Sequence, residues 1–267
     1  MGPDKGRDAM KSPINDLGRY RTFLESIPLS KYREELKDIK WVEQDLPKEI
    51  LPLRSIFKYY WEDRNFLSFE EWFENFWTEI NQDETSKKAL DEFKKYYFNR
   101  TVEENDWFKK GFKARMYRTW VSVLTQLDFC YVYERIAAQE GIDLPLECNA
   151  ELDARGIDFE INEIGFQIAK ISQRKEARTS ARKKKVVTIP YAVFNIKKME
   201  KRAQSPRVKD TEGYKKSLEA FNKYFIRLSN GFVVFQETIP RLIIDHLDDA
   251  NEIRKIMEKV FLELSGD

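Results

Sequence analysis

The chain changes its pattern at Gly141-Ile142-Asp143-Leu144-Pro145, and this break constrains the fold more than any other feature. Glycine tolerates the left-handed turn that closes a helix, and proline cannot continue the helical ladder, so the pair ends whatever helix precedes it. Before the break, apolar residues recur at helical spacing. Ser68-Phe69-Glu70-Glu71 has the form of a capping box, and after it Phe69, Trp72, Phe73, Phe76 and Trp77 fall on one helical face. An aromatic stripe at this spacing is expected to be core rather than a base-stacking surface, because these rings carry the largest apolar area. Thr101-Val102-Glu103-Glu104 has the same capping form. A long helix, continuous or with a break, is expected from about Asp106 to about Gln139, with apolar positions at Phe108, Phe112, Met116, Trp120, Val123, Leu127 and Val132. Beyond the break, β-branched and aromatic runs bounded by turn residues predict strands at Ile157–Ile161, Gly165–Ile171, Val186–Ile189 and Phe232–Phe235. Helical patterns lie between and after them, at about 173–185, 211–228 and 248–264.

This order predicts an α/β (α+β) fold. A mixed β-sheet core is expected in residues 141–267, with residues 19–140 as a large, mainly helical elaboration. No internal repeat and no Gly/Ser/Pro-rich linker interrupts the chain, so one globular unit over 19–267 is expected rather than two separable domains. Residues 1–18 lack the apolar stretch of a secretory signal and are expected as a disordered lead. The chain is 42% hydrophobic and 14% aromatic, enough for a sizeable core, yet no run is long enough to span a membrane. The two cysteines, Cys130 and Cys148, have neither zinc-site nor redox-pair spacing, which suits a reducing cytoplasm; Cys130, within Leu127-Asp128-Phe129-Cys130-Tyr131, is expected in the core. No Walker-type glycine loop is present, so an ATP-driven function is not expected. His246, the only histidine, is expected to be structural or exposed, since catalytic and zinc-binding histidines need placed partners.

The chemistry is concentrated in Glu151 to Arg178, ELDARGIDFEINEIGFQIAKISQRKEAR. Asp153 and Asp158 lead into a short apolar run, a hairpin-like break is expected at Asn162–Gly165, and a second run ends at Lys170. The whole chain has a net charge of only +1, but Lys170 to Lys185 holds eight lysines and arginines against the single acid Glu176. That is the footprint of a phosphate-binding face. A solvated charged helix would carry the same residues. Hydrolysis of a phosphodiester with Mg²⁺ needs hard oxygen ligands, and Asp158, at the entry of a strand, is a candidate. Gln167 lies in the next strand, and an antiparallel pair with a short turn would set the two side by side.

The arrangement resembles nucleases of the PD-(D/E)xK class, in which the second strand carries Glu-x-Lys or Gln-x-Lys. The resemblance implies that the acid or amide organises metal and water, while the lysine polarises the water and stabilises the phosphate charge. Here Ala169 stands where the lysine is expected and Lys170 follows it. Side chains alternate along a strand, so Lys170 serves only if a bulge or a different register turns it back. The other reading is an inactive form that lacks the lysine.

Glu151-Leu152-Asp153-Ala154-Arg155-Gly156-Ile157-Asp158, followed by Phe166-Gln167-Ile168 and Arg174-Lys175-Glu176-Ala177-Arg178, resembles TaqI-type type II restriction endonucleases. Trp41–Pro47, Tyr59-Tyr60-Trp61, Ala114–Thr119, Thr125-Gln126, Phe129-Cys130-Tyr131, Ile189-Pro190-Tyr191 and Asn230–Val233 match in the same order, so the likeness spans roughly residues 20 to 236. It implies cleavage of double-stranded DNA at the palindrome TCGA with Mg²⁺, for which Mn²⁺ substitutes. The implied catalytic residues are Asp153, Asp158, Gln167 and Lys170, of which Asp153, Asp158 and Gln167 would hold the metal. The implied DNA contacts are Ser172, Arg174, Lys175, Arg178, Arg182, Lys183, Lys184 and Lys185, with arginines reading guanine and lysines positioning the backbone. A palindromic site implies a homodimer, and a restriction enzyme implies a cognate DNA methyltransferase as its functional partner. A DNA-binding protein that has lost cleavage is the alternative, and Ala169 is its support.

Overall fold

The computed structural model describes residues 13–36, 45–95, 102–173, 186–191, 201–204 and 211–265. Within them the chain forms two compact units, one of residues 22–127 and one built from residues 1–21 and 128–267. The division falls inside a long helix rather than at its end.

Residues 22–127 are helical. Helix α1 (Pro13–Ser26) enters the unit, and α2 (Leu29–Leu36) follows it. Helix α1 begins at Pro13, inside the stretch 1–18 expected as a lead. Proline fits there, since the first helical N–H has no partner to lose. After α3 (Leu53–Phe57), one π-helical turn covers Lys58–Glu62. Helix α4 (Phe69–Gln82) starts where the capping box predicts. Ser68 Oγ accepts from Glu71 N–H, and the Glu71 carboxylate accepts from Ser68 N–H at 2.9 Å. Its aromatic stripe is core. Phe69, Trp72, Phe73 and Phe76 are buried, Trp77 is half-buried, and Trp72 stacks on Phe76 with centroids 5.4 Å apart. Burial pushes the Tyr60 phenol above its ordinary pKa, and its hydroxyl donates to Leu67 O at 2.8 Å. Helix α5 (Glu84–Lys95) packs beside α4.

Helix α6 runs unbroken from Val102 to Glu140 and ends at Gly141, whose φ is +66°. Every residue from Val123 to Tyr133 is buried. A helix covered on all sides here needs partners for its polar groups. Asp128 has them. Arg21 Nε donates to its Oδ1 at 3.1 Å, and Phe235 N–H donates to its Oδ2 at 2.7 Å. Burial nevertheless pushes this carboxyl up, against the pull of Arg21 and the Phe235 N–H.

The second unit holds a four-stranded sheet in the order β1 (Leu146–Glu147), β2 (Phe159–Ile161), β3 (Ile164–Lys170), β4 (Val187–Tyr191). The pairs β1–β2 and β2–β3 are antiparallel, while β3–β4 is parallel. The mixed sheet with its helices is the α+β architecture expected. Asn162 and Glu163 form the two-residue hairpin turn, with φ of 47° and 63°. Positive φ at both positions is the twist such tight hairpins require. Pro190 lies in β4, outermost among the described strands, where a missing N–H costs least.

One helix is shorter than its pattern suggests. Helix α8 (Thr211–Tyr224) stops before residue 228, and Phe225–Arg227 form β5 instead, paired with β6 (Val233–Phe235). Phe225 is buried against Tyr191 and Phe235, and its backbone joins a ladder only as a strand. Helices α9 (Thr238–Ile244) and α10 (Ala250–Ser265) complete the unit, with α10 beside β4 and α8. No helix of the described residues is long and apolar enough to cross a membrane.

Candidate functional site

Asp153 and Asp158 are delivered by one short device. Helix α7 (Ala150–Ala154) is capped at its start by Asn149, whose side chain accepts from Leu152 N–H at 2.9 Å. At its end Gly156 takes φ +74°, Gly156 N–H donates to Asp153 O at 2.7 Å, and Ile157 N–H donates to Leu152 O at 3.0 Å. These two bonds around a left-handed glycine make a Schellman closure. It reverses the chain within two residues of the helix and feeds it directly into Asp158 and β2.

At Asp158 the ladder is irregular. Phe159 pairs with Phe166, yet Asp158 N–H also donates to Phe166 O at 2.8 Å. Two residues of one strand therefore address one residue of the next, which is the count of a β-bulge. The Asp158 carboxylate fills the gap this leaves, as its Oδ2 accepts from Ile168 N–H at 2.6 Å. Cys148 Sγ donates to Asp158 O at 3.5 Å. Asp158 is thus gripped on both sides and only 9% exposed. Cys130 is buried as expected; burial and the neighbouring Cys148 push its thiol well up, which keeps it protonated and unreactive.

Gln167 is equally buried at 9%. It pairs with Thr188 of β4, and its Nε2 donates to Thr188 Oγ1 at 3.0 Å. From Phe166 to Lys170, β3 pairs residue for residue with Val187 to Tyr191. No bulge interrupts that run, so the irregularity lies at Asp158 and not near Lys170. By strand alternation, Gly165, Gln167 and Ala169 share one face, while Phe166, Ile168 and the exposed Lys170 share the other. The register therefore keeps Lys170 away from Gln167 and sets Ala169 beside it. Gly165 is closely covered on its face, since a Cβ there would lie 3.1 Å from Val186 Cγ1 and 3.2 Å from Ile157 Cγ2.

Ser172 is exposed in a 3₁₀ turn, Ile171–Gln173, directly after β3. Arg174, Lys175, Arg178, Arg182, Lys183, Lys184 and Lys185, with the helix expected at 173–185, lie outside the described residues apart from Gln173. His246 is half-buried, and its Nδ1 lies 3.0 Å from Leu242 O, a local contact of the structural kind expected.

Two carboxylates and a carboxamide are hard oxygen donors, the set that suits Mg²⁺ or Mn²⁺ rather than a softer ion. Among the described residues, no group of three or more His, Cys, Asp or Glu converges on a point. Two acids with Gln167 as a further oxygen are a donor set whose chemistry would suit a divalent ion. The sequence reading does not reach Thr188 beside Gln167, nor the contact of Cys148 with Asp158. The one available signal was Thr188 as the lone polar residue of the run Val186–Ile189.

A family model described as the TaqI restriction endonuclease matches residues 17–247. The chain is 35% identical over 242 residues to the type II restriction enzyme TaqI of Thermus aquaticus, covering 85% of this chain and 86% of that protein. It is 34% identical over 237 residues to the type II restriction enzyme TthHB8I of Thermus thermophilus, covering 83% and 84%. No solved structure matches.

Proposed function

The chain belongs to the TaqI restriction endonuclease family, and on that premise we propose that it recognises TCGA in double-stranded DNA and hydrolyses it with Mg²⁺ or Mn²⁺. The observation that supports hydrolysis is the bulge at Asp158, which holds a carboxylate against the strand that bears Gln167, while TCGA rests on the family alone. Asp153, Asp158 and Gln167 would hold the ion. When bound, it supplies positive charge against the scissile phosphate. The chain's own groups do the rest. The Schellman closure at Gly156 fixes the spacing of the two acids, and the Ile168 N–H fixes the Asp158 carboxylate. Ser172 and the basic residues Arg174, Lys175, Arg178 and Arg182–Lys185 supply the contacts to phosphate and base. A two-fold site suits a homodimer with one active site per strand, and a methyltransferase would protect the host's own sites.

The regular register of β3 favours a second reading alongside it. Ala169 occupies the face of Gln167 without a charge, so the scaffold binds TCGA and cuts slowly or not at all. One experiment separates the two. Duplex DNA with a single TCGA is digested with Mg²⁺ beside a duplex without the site, and both are run in gel shifts. Specific cutting that Asp158→Ala abolishes establishes the enzyme. Binding without cutting, together with a gain of about 10²-fold or more in cleavage by Ala169→Lys, establishes the second reading. An Asp158→Ala chain that cleaves normally overturns the site in both.

A further inference from the structure

We infer that Thr188 is a positioning residue for Gln167, setting the carboxamide so that its oxygen rather than its nitrogen faces a bound divalent cation. The inference rests on the site assignment above and adds a residue to it. Three observations carry it. Gln167 and Thr188 are direct neighbours in the parallel β3–β4 register. The Gln167 Nε2 donates to Thr188 Oγ1 at 3.0 Å. Thr188 is the polar, half-buried member of a strand whose other residues, Val187, Ile189, Pro190 and Tyr191, are all buried.

A carboxamide is an ambiguous ligand, because its oxygen attracts a cation while its NH₂ repels one, and the two ends differ only by a half-turn of the terminal torsion. A hydroxyl can accept from the nitrogen or donate to the oxygen, so by itself it permits either end. With a cation on one side, only one arrangement satisfies both partners: oxygen to the ion, nitrogen to the hydroxyl. An apolar residue at 188 would leave the amide N–H without this acceptor in a nearly buried setting. The amide would then turn toward whatever acceptor it found, including the acids that should hold the ion. Accepting from Nε2 also polarises the amide and makes its oxygen a better donor. This is the orienting role that groups behind metal ligands play, and their loss commonly weakens metal affinity about 10- to 100-fold.

The test measures metal binding and needs no turnover. Mn²⁺ is titrated into the full chain with a TCGA duplex, and free Mn²⁺ is followed by electron paramagnetic resonance. The proteins are the parent chain, Thr188→Val, Thr188→Ser, Gln167→Ala and the double variant Gln167→Ala/Thr188→Val. Valine keeps the β-branched shape of the strand residue and exchanges the hydroxyl for a methyl group; a thermal melt checks that it folds. The expected result is about a ten-fold weaker Mn²⁺ affinity for Thr188→Val, near-parental affinity for Thr188→Ser, and no added loss in the double variant over Gln167→Ala. Parental affinity in Thr188→Val, or a loss that persists in the Gln167→Ala background, overturns the role of Thr188 while leaving the site intact. If Gln167→Ala binds Mn²⁺ like the parent, or the parent does not bind it, the site assignment fails and the inference falls with it.

Discussion

The Asp158 side chain proposed to hold metal also has a structural task. Its Oδ2 takes the Ile168 N–H that the bulge would otherwise leave open, so the two roles can be separated by choice of substitution. Asp158→Ala strips the acceptor from a nearly buried N–H, which costs about 1–3 kcal/mol. Asp158→Asn keeps an oxygen acceptor and should unfold in urea within about 1 kcal/mol of the parent, while losing the charge a divalent ion needs. If both variants show parental urea midpoints, the Ile168 bond contributes nothing and the bulge is held by other means. Ala169 is the converse case. It pairs with Pro190 in the unbroken β3–β4 register, so the loss proposed for it is one of charge and not of strand pairing.

The helices show how local signals become stability. Glu71 closes the capping box of α4, Asp83 accepts from Ser86 N–H ahead of α5, and Asp249 accepts from Asn251 and Glu252 N–H at the start of α10. The hydroxyl and backbone N–H of Ser68 hold Glu71 below the usual carboxylate pKa, and backbone N–H groups hold Asp83 and Asp249 below it. Each folded value lies under its unfolded one, so the stabilisation is complete above the ordinary carboxylate range. It is lost as pH falls through the lowered values. The melting temperature should therefore drop as pH falls below about 4. The combined Glu71→Gln, Asp83→Asn, Asp249→Asn chain should show a shallower drop in that window. An identical pH profile in the two proteins would remove the caps as the cause. The elements that differ from expectation did so for long-range reasons. Phe225 leaves the helical pattern because β6 offers it a ladder and Tyr191 and Phe235 offer it a core.

Across the whole molecule, the feature that ties most chain together is the buried Asp128. It sits 107 residues from each of its two partners, Arg21 on α1 and Phe235 on β6, and Arg21 also reaches Phe235 O at 2.5 Å. Removing the carboxylate leaves a largely buried guanidinium and a buried N–H without their acceptor. Asp128→Ala should cost about 3 kcal/mol or more in chemical denaturation, and Asp128→Asn less, because it keeps an acceptor for Phe235. Equal losses for the two would show that the cost is packing and not the polar network. The family membership of the chain spans residues 17–247, and so takes in α1, Asp128 and β6 together with the sheet that carries the candidate site.

The sequence by itself determined what depends on near neighbours. It located the change of pattern at Gly141–Pro145, the capping box, the aromatic core of α4, and a hairpin-like break within Asn162–Gly165 with strands on either side, which the structure narrows to a turn at Asn162-Glu163. It also singled out Asp153, Asp158 and Gln167, because carboxylates leading into one apolar run and an amide within the next are visible as such and resemble a nuclease motif. Only the tertiary structure decided the rest. The bulge at Asp158, the unbroken register that turns Lys170 away, the hydroxyl of Thr188 behind Gln167 and the junction at Asp128 each depend on which distant segments meet. Periodicity and caps are set by residues within a few positions of one another. Register and long-range hydrogen bonds are set by the burial of whole faces, and one residue of slip would exchange the faces of a strand.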